Sequence, residues 1–494
     1  MWLILLSVCV ILVLWLVFRS GNKDCWKKQN VVQLDSDVFF KFMFENRSIA
    51  EIYKDVYDNN PKEPYVGGFL NKVPALILRD LQCVQTVLAT EFESFHQRGI
   101  KFNDNDLLAD NVLSISDYQR WKTIRQKLTP IFTSSKLKSM THVIDNSARD
   151  FVEMLKNHKE MTEKPFVALY TYTTASIGAS VFGIDTQIKN TMESPFLEMS
   201  WKSVEPSFIT NVKFAISALS PTLFKLLRLK VFGEYEDFFI GAVKNILEAR
   251  RNNPQMVNDF IGLCMELQKA GTMKDNSTGY ELEPTDELLA AQAFFFFVAG
   301  TDTGANTMHF TLLELSSNPD VLKKLHEEID KKFEESNEQI TYDAIDGFVY
   351  LDMVINEAMR KYPPIGSLQR ECTRDIVLPV GNVKVKKGNV VVVPVYGIHR
   401  DEQLYPNPDK FDPERFAPSN IANLPKFGYL PFGEGKRICL GSRYARIQVK
   451  AGLAYLLRSF TLKPQNYQPK RFEKSFFALR DTNAKYELIL RKNA

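Results

Sequence analysis

The sequence predicts a mainly α fold: a single large α-rich domain with a small accessory β-sheet, preceded by an N-terminal transmembrane anchor helix. Three observations predict this class. Apolar residues recur at helical spacing along most of the chain, strand-like runs are short, and the first eighteen residues carry no charged side chain. No repeat, low-complexity tract or linker divides the 494 residues, so one domain is expected although the length alone would allow three.

The amino-terminal segment has the length and composition of a membrane anchor. Eighteen uncharged residues just span a bilayer, and Arg19, Lys23, Lys27 and Lys28 follow them. Neither a basic n-region nor a small-x-small cleavage site is evident, which favours an anchor over a cleaved signal peptide. Because the positive charges follow the apolar run, the rest of the chain is expected on the cytosolic side.

Helical spacing dominates the rest of the chain. It predicts helices at 81–92, 118–129, 142–157, 236–251, 284–315, 318–333, 349–361 and 442–459, and short strands at 76–80, 383–395, 460–464 and 485–490. The run AFFFFVAG inside 284–315 is apolar on every side, which predicts a buried helix. The segment 219–232 mixes apolar and cationic residues, and both a membrane-dipping surface helix and a helix packed on the core remain open.

The composition excludes several classes of protein. An apolar fraction of 45% with 36 phenylalanines allows a large core. A formal charge of +3, without basic runs that alternate with aromatic residues, argues against nucleic-acid binding. The cysteines lack the spacing of a disulfide framework, which indicates a reducing compartment. They are Cys9, Cys25, Cys83, Cys264, Cys372 and Cys439.

The carboxy-terminal stretch PFGEGKRICLGSRYARIQVK singles out Cys439. The cysteine precedes the predicted helix 442–459, whose N-terminus stabilises an anion. Arg437 adds positive charge, so a thiolate is expected, and a thiolate suits a single axial ligand to haem iron. A lone cysteine is more often a buried structural residue. The pattern Phe-x-x-Gly-x-Arg-x-Cys-x-Gly favours the ligand, and its fixed positions are Phe432, Gly435, Arg437, Cys439 and Gly441.

With this pattern the chain resembles the cytochrome P-450 monooxygenases, microsomal type, whose haem-binding signature matches 432–441 at every position. The segment QRWKTIRQKLTPIFTSSKLK resembles sequences of the insect group associated with the oxidation of foreign compounds. The resemblance implies an anchor at 1–19, a membrane-proximal linker and the start of the catalytic domain at 20–60, and a haem-thiolate monooxygenase domain at 61–494. The proline-rich hinge usual in microsomal members is missing, since the first proline is Pro61.

The resemblance also implies a reaction. Haem b, with iron axially ligated by Cys439, would insert one oxygen atom of O2 into a lipophilic small molecule, either a xenobiotic such as a plant toxin or insecticide or an endogenous lipid or hormone. Electrons would come from NADPH through a flavoprotein reductase at the endoplasmic reticulum membrane, with cytochrome b5 as an optional second partner. NADPH and flavins would act only through that reductase, and no nucleic acid would take part.

Two alternatives to this reaction stay open. One is a relative that rearranges a peroxide or dehydrates an oxime without a reductase. The other is a non-catalytic haem-thiolate protein that binds ligands or senses gases.

A second motif, AGTDT at 299–303, lies inside the predicted buried helix. Taken alone, it allows a structural interpretation, with Thr303 bonded back to a carbonyl and Asp302 paired with a distant arginine. The resemblance implies instead an oxygen-activation motif above the haem, in which Asp302 and Thr303 relay protons. Gly304 departs from the threonine or serine usual in that position.

Two further motifs depend on the resemblance for their interpretation. Glu357 and Arg360 alone would be a surface pair worth a few tenths of a kcal/mol, but the family folds Arg415 onto them as a buried triad that holds the haem loop. Trp121 and Arg125 alone would be an aromatic–cation surface pair. The resemblance implies that four side chains contact the haem propionates: Trp121, Arg125, Arg370 and Arg437. His399 is either a further propionate donor or an ordinary loop histidine.

The resemblance finally implies a pocket and a docking face. The pocket would be lined by Phe294, Phe297, Ala299, Ile365, Leu368, Phe476 and Phe477. Their apolar character favours a lipophilic substrate. A cationic face on the cysteine side would bind an acidic electron donor, although a solvated charged surface is the alternative. That face would comprise Lys122, Lys127, Lys436, Arg443 and Arg446.

Overall fold

The computed structural model describes residues 24–183, 192–204, 209, 212–213, 216–217, 220–252, 259–469 and 471–492. The predicted anchor, 1–19, lies outside the described residues. Among the described residues one helix, Asp286–Ser317, is long and apolar enough to cross a membrane, and 72% of its most apolar window is buried. It is a core helix, as the run AFFFFVAG predicts.

The first described elements are built around a sheet. They are α1 (Val38–Phe44), α2 (Ile49–Asp58), β1 (Tyr65–Leu70), β2 (Val73–Leu78) and α3 (Leu81–Gln85). A capping box begins α2, because the Ser48 side chain accepts from the first turn and the Glu51 side chain accepts from the Ser48 backbone. Trp26 is 1% exposed, and its Nε1 donates to the Gly68 carbonyl at 3.0 Å. Packed structure is therefore already present at Trp26.

The middle of the chain is almost entirely helical. Its elements are α4 (Tyr118–Leu128), α5 (Ser134–Asn157), α6 (Lys159–Thr162), α7 (Pro165–Phe182), α8 (Pro195–Val204), α9 (Pro221–Leu226), α10 (Gly233–Asn252), α11 (Phe260–Lys269), β3 (Met273–Asp275), β4 (Tyr280–Leu282) and α12 (Asp286–Ser317). Helix α12 begins at a cap in which the Thr285 side chain accepts from the Leu288 amide. It then runs through the largest core cluster and packs against α7 and α10.

The carboxy-terminal part returns to the sheet and then adds a long helix. Its elements are α13 (Pro319–Glu335), α14 (Tyr342–Asp346), α15 (Val349–Lys361), β5 (Leu368–Glu371), β6 (Ile376–Val377), β7 (Lys384–Val385), β8 (Val390–Val393), α16 (Val395–Ile398), α17 (Ser442–Ser459), β9 (Phe460–Leu462) and β10 (Leu488–Leu490). The largest sheet has the order β1-β2-β8-β5. Only its β2–β8 pair is parallel. All four valines of β8 are buried because both faces of this strand are covered.

The fold is mainly α with small sheets, as predicted, and α15 and α17 have the predicted bounds. The prediction of one α-helix over 81–92 is wrong. Helix α3 ends at Gln85 and a π-helical turn, Thr86–Thr90, follows, in which the Glu91 amide bonds to the Thr86 carbonyl at 2.9 Å. Helix α7 is absent from the predictions because all of its 18 residues except Val167 are buried, so it has no polar face to reveal its period.

Candidate functional site

The loop before α17 is a closed turn that fixes Cys439. The Cys439 amide donates to the Phe432 carbonyl at 2.9 Å. Gly435 has a φ of 75°, and a Cβ at this position would collide with the Leu88 carbonyl oxygen of the π-helical turn. Only glycine satisfies both conditions. The turn therefore presents Cys439 two residues before Gly441, the N-cap of α17.

The Cys439 thiol keeps accessible surface although protein surrounds it. Its side chain is exposed, yet burial by surrounding protein raises the pKa of the thiol. A hydrogen bond at the Gly441 backbone, and then the charges of Arg125 and Arg98, act to lower that pKa. Arg98 and Arg125, rather than the predicted Arg437, are the cations that act on this thiol. A bound metal cation would restore the thiolate.

Four guanidinium groups lie close enough to influence one another, those of Arg98, Arg125, Arg370 and Arg437. Burial lowers the pKa of all four, to about 10 for Arg98, about 9 for Arg370 and about 8 for Arg437. Within the described parts of the chain no carboxylate offsets this effect. The Nε atoms of Arg98, Arg370 and Arg437 and the Nε1 of Trp121 have no hydrogen-bond partner there. Such a cluster needs an anionic ligand.

The arrangement fits the two propionates of the haem that the sequence leads us to expect. The Arg437 guanidinium lies 4.5 Å from the centroid of the Trp121 ring. Arg125 Nη2 donates to the Ile438 carbonyl at 2.6 Å, which joins α4 to the cysteine loop. Donors of this kind bind carboxylates through charge-assisted bonds, and Cys439 offers an axial ligand beside them. Arg98 was not predicted, because its loop position has no spacing relation to the other three.

The structure brings Glu357, Arg360 and Arg415 together. Arg360 forms a bidentate pair with Glu357, with both bonds 2.8 Å long and both side chains 0% exposed. Arg415 Nε lies 3.5 Å from Glu357 Oε1. Arg360 also donates to the Pro408 carbonyl at 2.7 Å, so α15 is tied to the segment that leads toward Cys439.

His399 has both ring nitrogens engaged. Its Nδ1 lies 3.2 Å from the Arg360 carbonyl, and its Nε2 accepts from the Leu430 amide at 2.7 Å. Burial lowers its pKa to about 3, so the ring is neutral with the proton on Nδ1. The structure therefore favours the loop histidine over the propionate donor.

Both contacts of the structural interpretation of the AGTDT motif are present. Arg480 Nη2 lies 2.6 Å from Asp302 Oδ2, with both side chains 10% exposed. Thr303 Oγ1 donates to the Ala299 carbonyl at 2.8 Å, while α12 remains helical throughout. Arg480 was not predicted, since its position 178 residues away carries no local signal.

The accessible stripe of α12 differs from the predicted one. Phe295, Ala299 and Thr303, spaced four residues apart, are partly exposed along one face. Phe294 and Phe297 point into the core instead. Their rings lie 4.9 and 5.7 Å from that of Phe239, and Phe297 is 0% exposed. The run of four phenylalanines identified the element, but the composition of the run could not give its rotational phase.

The remaining predicted pocket residues all keep some exposed surface. Ile365, Leu368 and Phe476 are partly exposed, and Phe477 is 42% exposed. Phe476 also packs edge-on against Phe42 of α1, with 5.5 Å between ring centroids. Phe476 therefore supports the segment that carries Phe477.

The predicted cationic face is only partly free. Lys122 Nζ lies 2.7 Å from Asp275 Oδ2 in the β3–β4 hairpin, so its charge is already paired. Arg446 Nη1 lies 3.5 Å from Asp352. Lys436 and Arg443 are exposed.

Comparison with known proteins identifies cytochromes P450 as relatives of this chain. The cytochrome P450 family model matches residues 38–488. Cytochrome P450 6B5 of Papilio glaucus is 34% identical over 472 residues, 93% of this chain and 97% of the relative. Probable cytochrome P450 6a13 of Drosophila melanogaster is 36% identical over 401 residues, 81% and 79% of the two chains. Cytochrome P450 6j1 of Blattella germanica is 32% identical over 457 residues, which cover 91% of this chain and 89% of the relative.

Proposed function

Because the chain belongs to the cytochrome P450 family and is a haem-thiolate monooxygenase, we propose that it oxidises lipophilic small molecules, with foreign compounds such as plant toxins or insecticides ahead of endogenous lipids. Electrons come from NADPH through a flavoprotein reductase. The enzyme resides on the endoplasmic reticulum membrane, with its catalytic domain in the cytosol.

One observation supports the assignment of this site to the cofactor. The guanidiniums of Arg98, Arg125, Arg370 and Arg437 influence one another, with no carboxylate among the described residues to neutralise them. Those of Arg98 and Arg125 also act on the Cys439 thiol, and the Trp121 indole N–H beside Arg437 has no hydrogen-bond partner among the described residues. A ligand that supplies two carboxylates and a metal that takes a thiolate satisfies every one of these groups. Haem has both.

The residues of the chain have separate roles around that cofactor. Haem, when bound, supplies the thiolate-ligated iron at which O2 is reduced. Phe295, Ala299 and Phe477 offer apolar surface that orients the substrate and excludes water. Thr303 Oγ and the Asp302 carboxylate hold and pass the protons that the released water requires.

A docking face for the reductase would be smaller than the sequence suggests. Lys436 and Arg443 are exposed near Cys439, whereas Lys122 is held by Asp275. Two charge reversals, Lys436→Glu with Arg443→Glu, should raise the apparent KM for reductase and flatten its salt dependence. Lys122→Glu alone should act mainly on stability, since it would face the Asp275 carboxylate.

Association with the membrane is supported by α9. Leu223, Leu226 and Leu227 are 43%, 76% and 53% exposed. Lys225 and Arg228 alternate with them, the composition of a helix that lies in the bilayer interface. Of the two alternatives for this segment, the surface helix fits these exposures.

The proposal is tested by reconstitution. The full chain is combined with NADPH-dependent reductase in lipid vesicles, with a 7-alkoxycoumarin as the lipophilic probe. Monooxygenation predicts reductase-dependent NADPH consumption and O-dealkylation of the probe, which yields 7-hydroxycoumarin and one aldehyde for each molecule of O2 used productively. A ligand-binding or gas-sensing protein would bind the probe without consuming NADPH, and a peroxide-rearranging enzyme would convert a hydroperoxide without reductase.

A further inference from the structure

One face of α12 is bonded to the carboxy-terminal segment 479–481 at three successive positions. Asp302 pairs with Arg480, with 2.6 Å between Oδ2 and Nη2. Asn306 Nδ2 donates to the Leu479 carbonyl at 2.6 Å, and His309 Nε2 lies 3.0 Å from the Asp481 carbonyl. The spacing i, i+4, i+7 places all three side chains on one helical face. The segment is therefore held in a fixed register against the helix.

The same segment is bonded to two of the predicted pocket residues and their neighbours. The Leu479 amide donates to the Pro364 carbonyl at 3.1 Å, and Ile365 and Ala478 form an antiparallel bridge. Phe477, which precedes them, is 42% exposed. Arg480 therefore lies close in the chain to the predicted pocket residue Phe477 and reaches from there to the acid on α12.

The two oxygens of Asp302 have different surroundings. Oδ2 accepts the Arg480 contact, whereas Oδ1 is buried without a hydrogen-bond partner among the described residues. Although desolvation lowers it, the charge of Asp302 raises the pKa of the Arg480 guanidinium above its usual range. The Arg480 guanidinium therefore fixes the carboxylate through Oδ2, while Oδ1 keeps its lone pairs available for another partner.

We propose that Arg480 is a positioning residue for proton delivery, which holds one oxygen of Asp302 so that the other can pass protons to the neighbouring Thr303. This assignment rests on the proposed monooxygenase function. The monooxygenase reaction consumes two protons and two electrons for each oxygen atom that leaves as water. When protons arrive at the wrong place or time, electrons from NADPH leave as hydrogen peroxide instead of product.

The test measures coupling, which a merely structural residue would not control. In Arg480→Gln the product formed per NADPH should fall on the order of tenfold, less than the 10²–10⁴ typical of a general acid itself. Peroxide should rise by the missing amount, and the solvent isotope effect in D2O should increase. Arg480→Lys keeps the positive charge but loses the planar, two-pronged guanidinium. Its product yield per NADPH, peroxide yield and isotope effect should therefore lie between those of wild type and Arg480→Gln.

Asn306→Ala is the matched control, because it loosens the same segment without touching the ion pair. It should lower thermal stability and leave the coupling ratio unchanged. Wild-type coupling in Arg480→Gln, or an equal loss in Asn306→Ala, would overturn the assignment. If Arg480→Gln fails to bind haem, Arg480→Lys decides: wild-type coupling and isotope effect there would also overturn it. Failure of the wild-type chain to consume NADPH with reductase would overturn the proposed function itself.

Discussion

Single charged residues decide what this site can bind. Arg370 and Arg437 are buried and Arg98 and Arg125 are partly buried, and desolvation lowers the pKa of all four guanidiniums. Holding such charges without anions costs free energy. Haem binding offsets that cost, so the cluster couples cofactor retention to the stability of the site.

Arg370→Met tests this coupling, because it removes the charge while keeping a similar volume. Loss of a charge-assisted bond of about 1.5–3 kcal/mol should weaken haem affinity about tenfold to a hundredfold. The haem-free protein should be as stable as wild type or more stable, because an uncompensated buried charge is gone. Transfer of haem to excess apomyoglobin and urea unfolding of the haem-free protein measure the two effects.

Arg374→Met is the control for that substitution. Arg374 is 61% exposed and pairs with Glu91 at 3.3 Å, so neither quantity should change appreciably. A haem-free Arg370→Met protein less stable than wild type by more than about 1 kcal/mol would contradict the explanation.

His399 gives a prediction about pH. Burial lowers its pKa from the ordinary value of 6.5 to about 3. Below about pH 6.5 the unfolded chain takes up a proton that the folded chain does not, so the free energy of unfolding falls by up to about 1.4 kcal/mol per pH unit. His399→Asn should be less stable at pH 7 and show a shallower loss between pH 6.5 and 4. Urea unfolding at several pH values measures it, with the exposed His142 replaced by Asn as control. Parallel slopes for wild type and His399→Asn would refute the prediction.

At the scale of elements, the sequence predicted which segments are helical better than which face each one presents. The ends of α15 and α17 follow from local signals, a proline pair after one and a glycine before the other. The phase of α12 depends on what packs around it, which is why Phe295 rather than Phe294 or Phe297 has accessible surface. The π-helical turn that places Leu88 against Gly435 depends on the tertiary contact itself. Arg98 and Arg480 reach the site from loops, where no periodicity guides a prediction.

Gly304 marks where α12 meets α7 and α17. A Cβ at this position would lie 2.8 Å from Gln448 Oε1 and 3.2 Å from Thr173 Cγ2. Gln448 cannot move freely, because its Nε2 donates to the Thr173 carbonyl and Ser176 Oγ, each at 3.2 Å. A larger side chain at position 304 would therefore press on Gln448 and Thr173.

Gly304→Ala should therefore lower the free energy of unfolding. Overpacking costs about 1–3 kcal/mol, which exceeds the gain in helix propensity of about 1 kcal/mol or less. Gly241→Ala in α10 is the control, since a Cβ there meets nothing within 4 Å and should be stabilising. In a Gln448→Ala background the cost of Gly304→Ala should shrink. Equal effects of Gly304→Ala and Gly241→Ala would contradict the packing argument.

At the scale of the whole molecule, packed structure is present within 20–60, the segment predicted to hold the membrane-proximal linker and the start of the catalytic domain. Residues 24–60 contain α1 and α2, and Ile49, Ile52 and Tyr53 are no more than 2% exposed. Phe42 of α1 supports Phe476 beside the pocket. These contacts join the amino-terminal helices to both the sheet and the site.

Two truncations test whether the predicted anchor and the folded domain are separate parts of the chain. A chain that lacks residues 1–23 should fold and bind haem, because Trp26 and both helices remain. A chain that lacks residues 1–60 should lose cooperative unfolding, since the removal of several buried side chains costs about 2–5 kcal/mol each. Circular dichroism melts and haem content distinguish them. Equal melting temperatures for the two chains would place the domain boundary at residue 61 after all.

The central claim is that Cys439 binds haem iron as a thiolate in this chain. The most direct test is the carbon monoxide difference spectrum of the dithionite-reduced full chain, recorded beside Cys439→Ser. Thiolate ligation predicts a red-shifted Soret band in the wild type, and this band should vanish in Cys439→Ser. A wild-type band typical of a neutral ligand, or a red-shifted band that survives in Cys439→Ser, would contradict it.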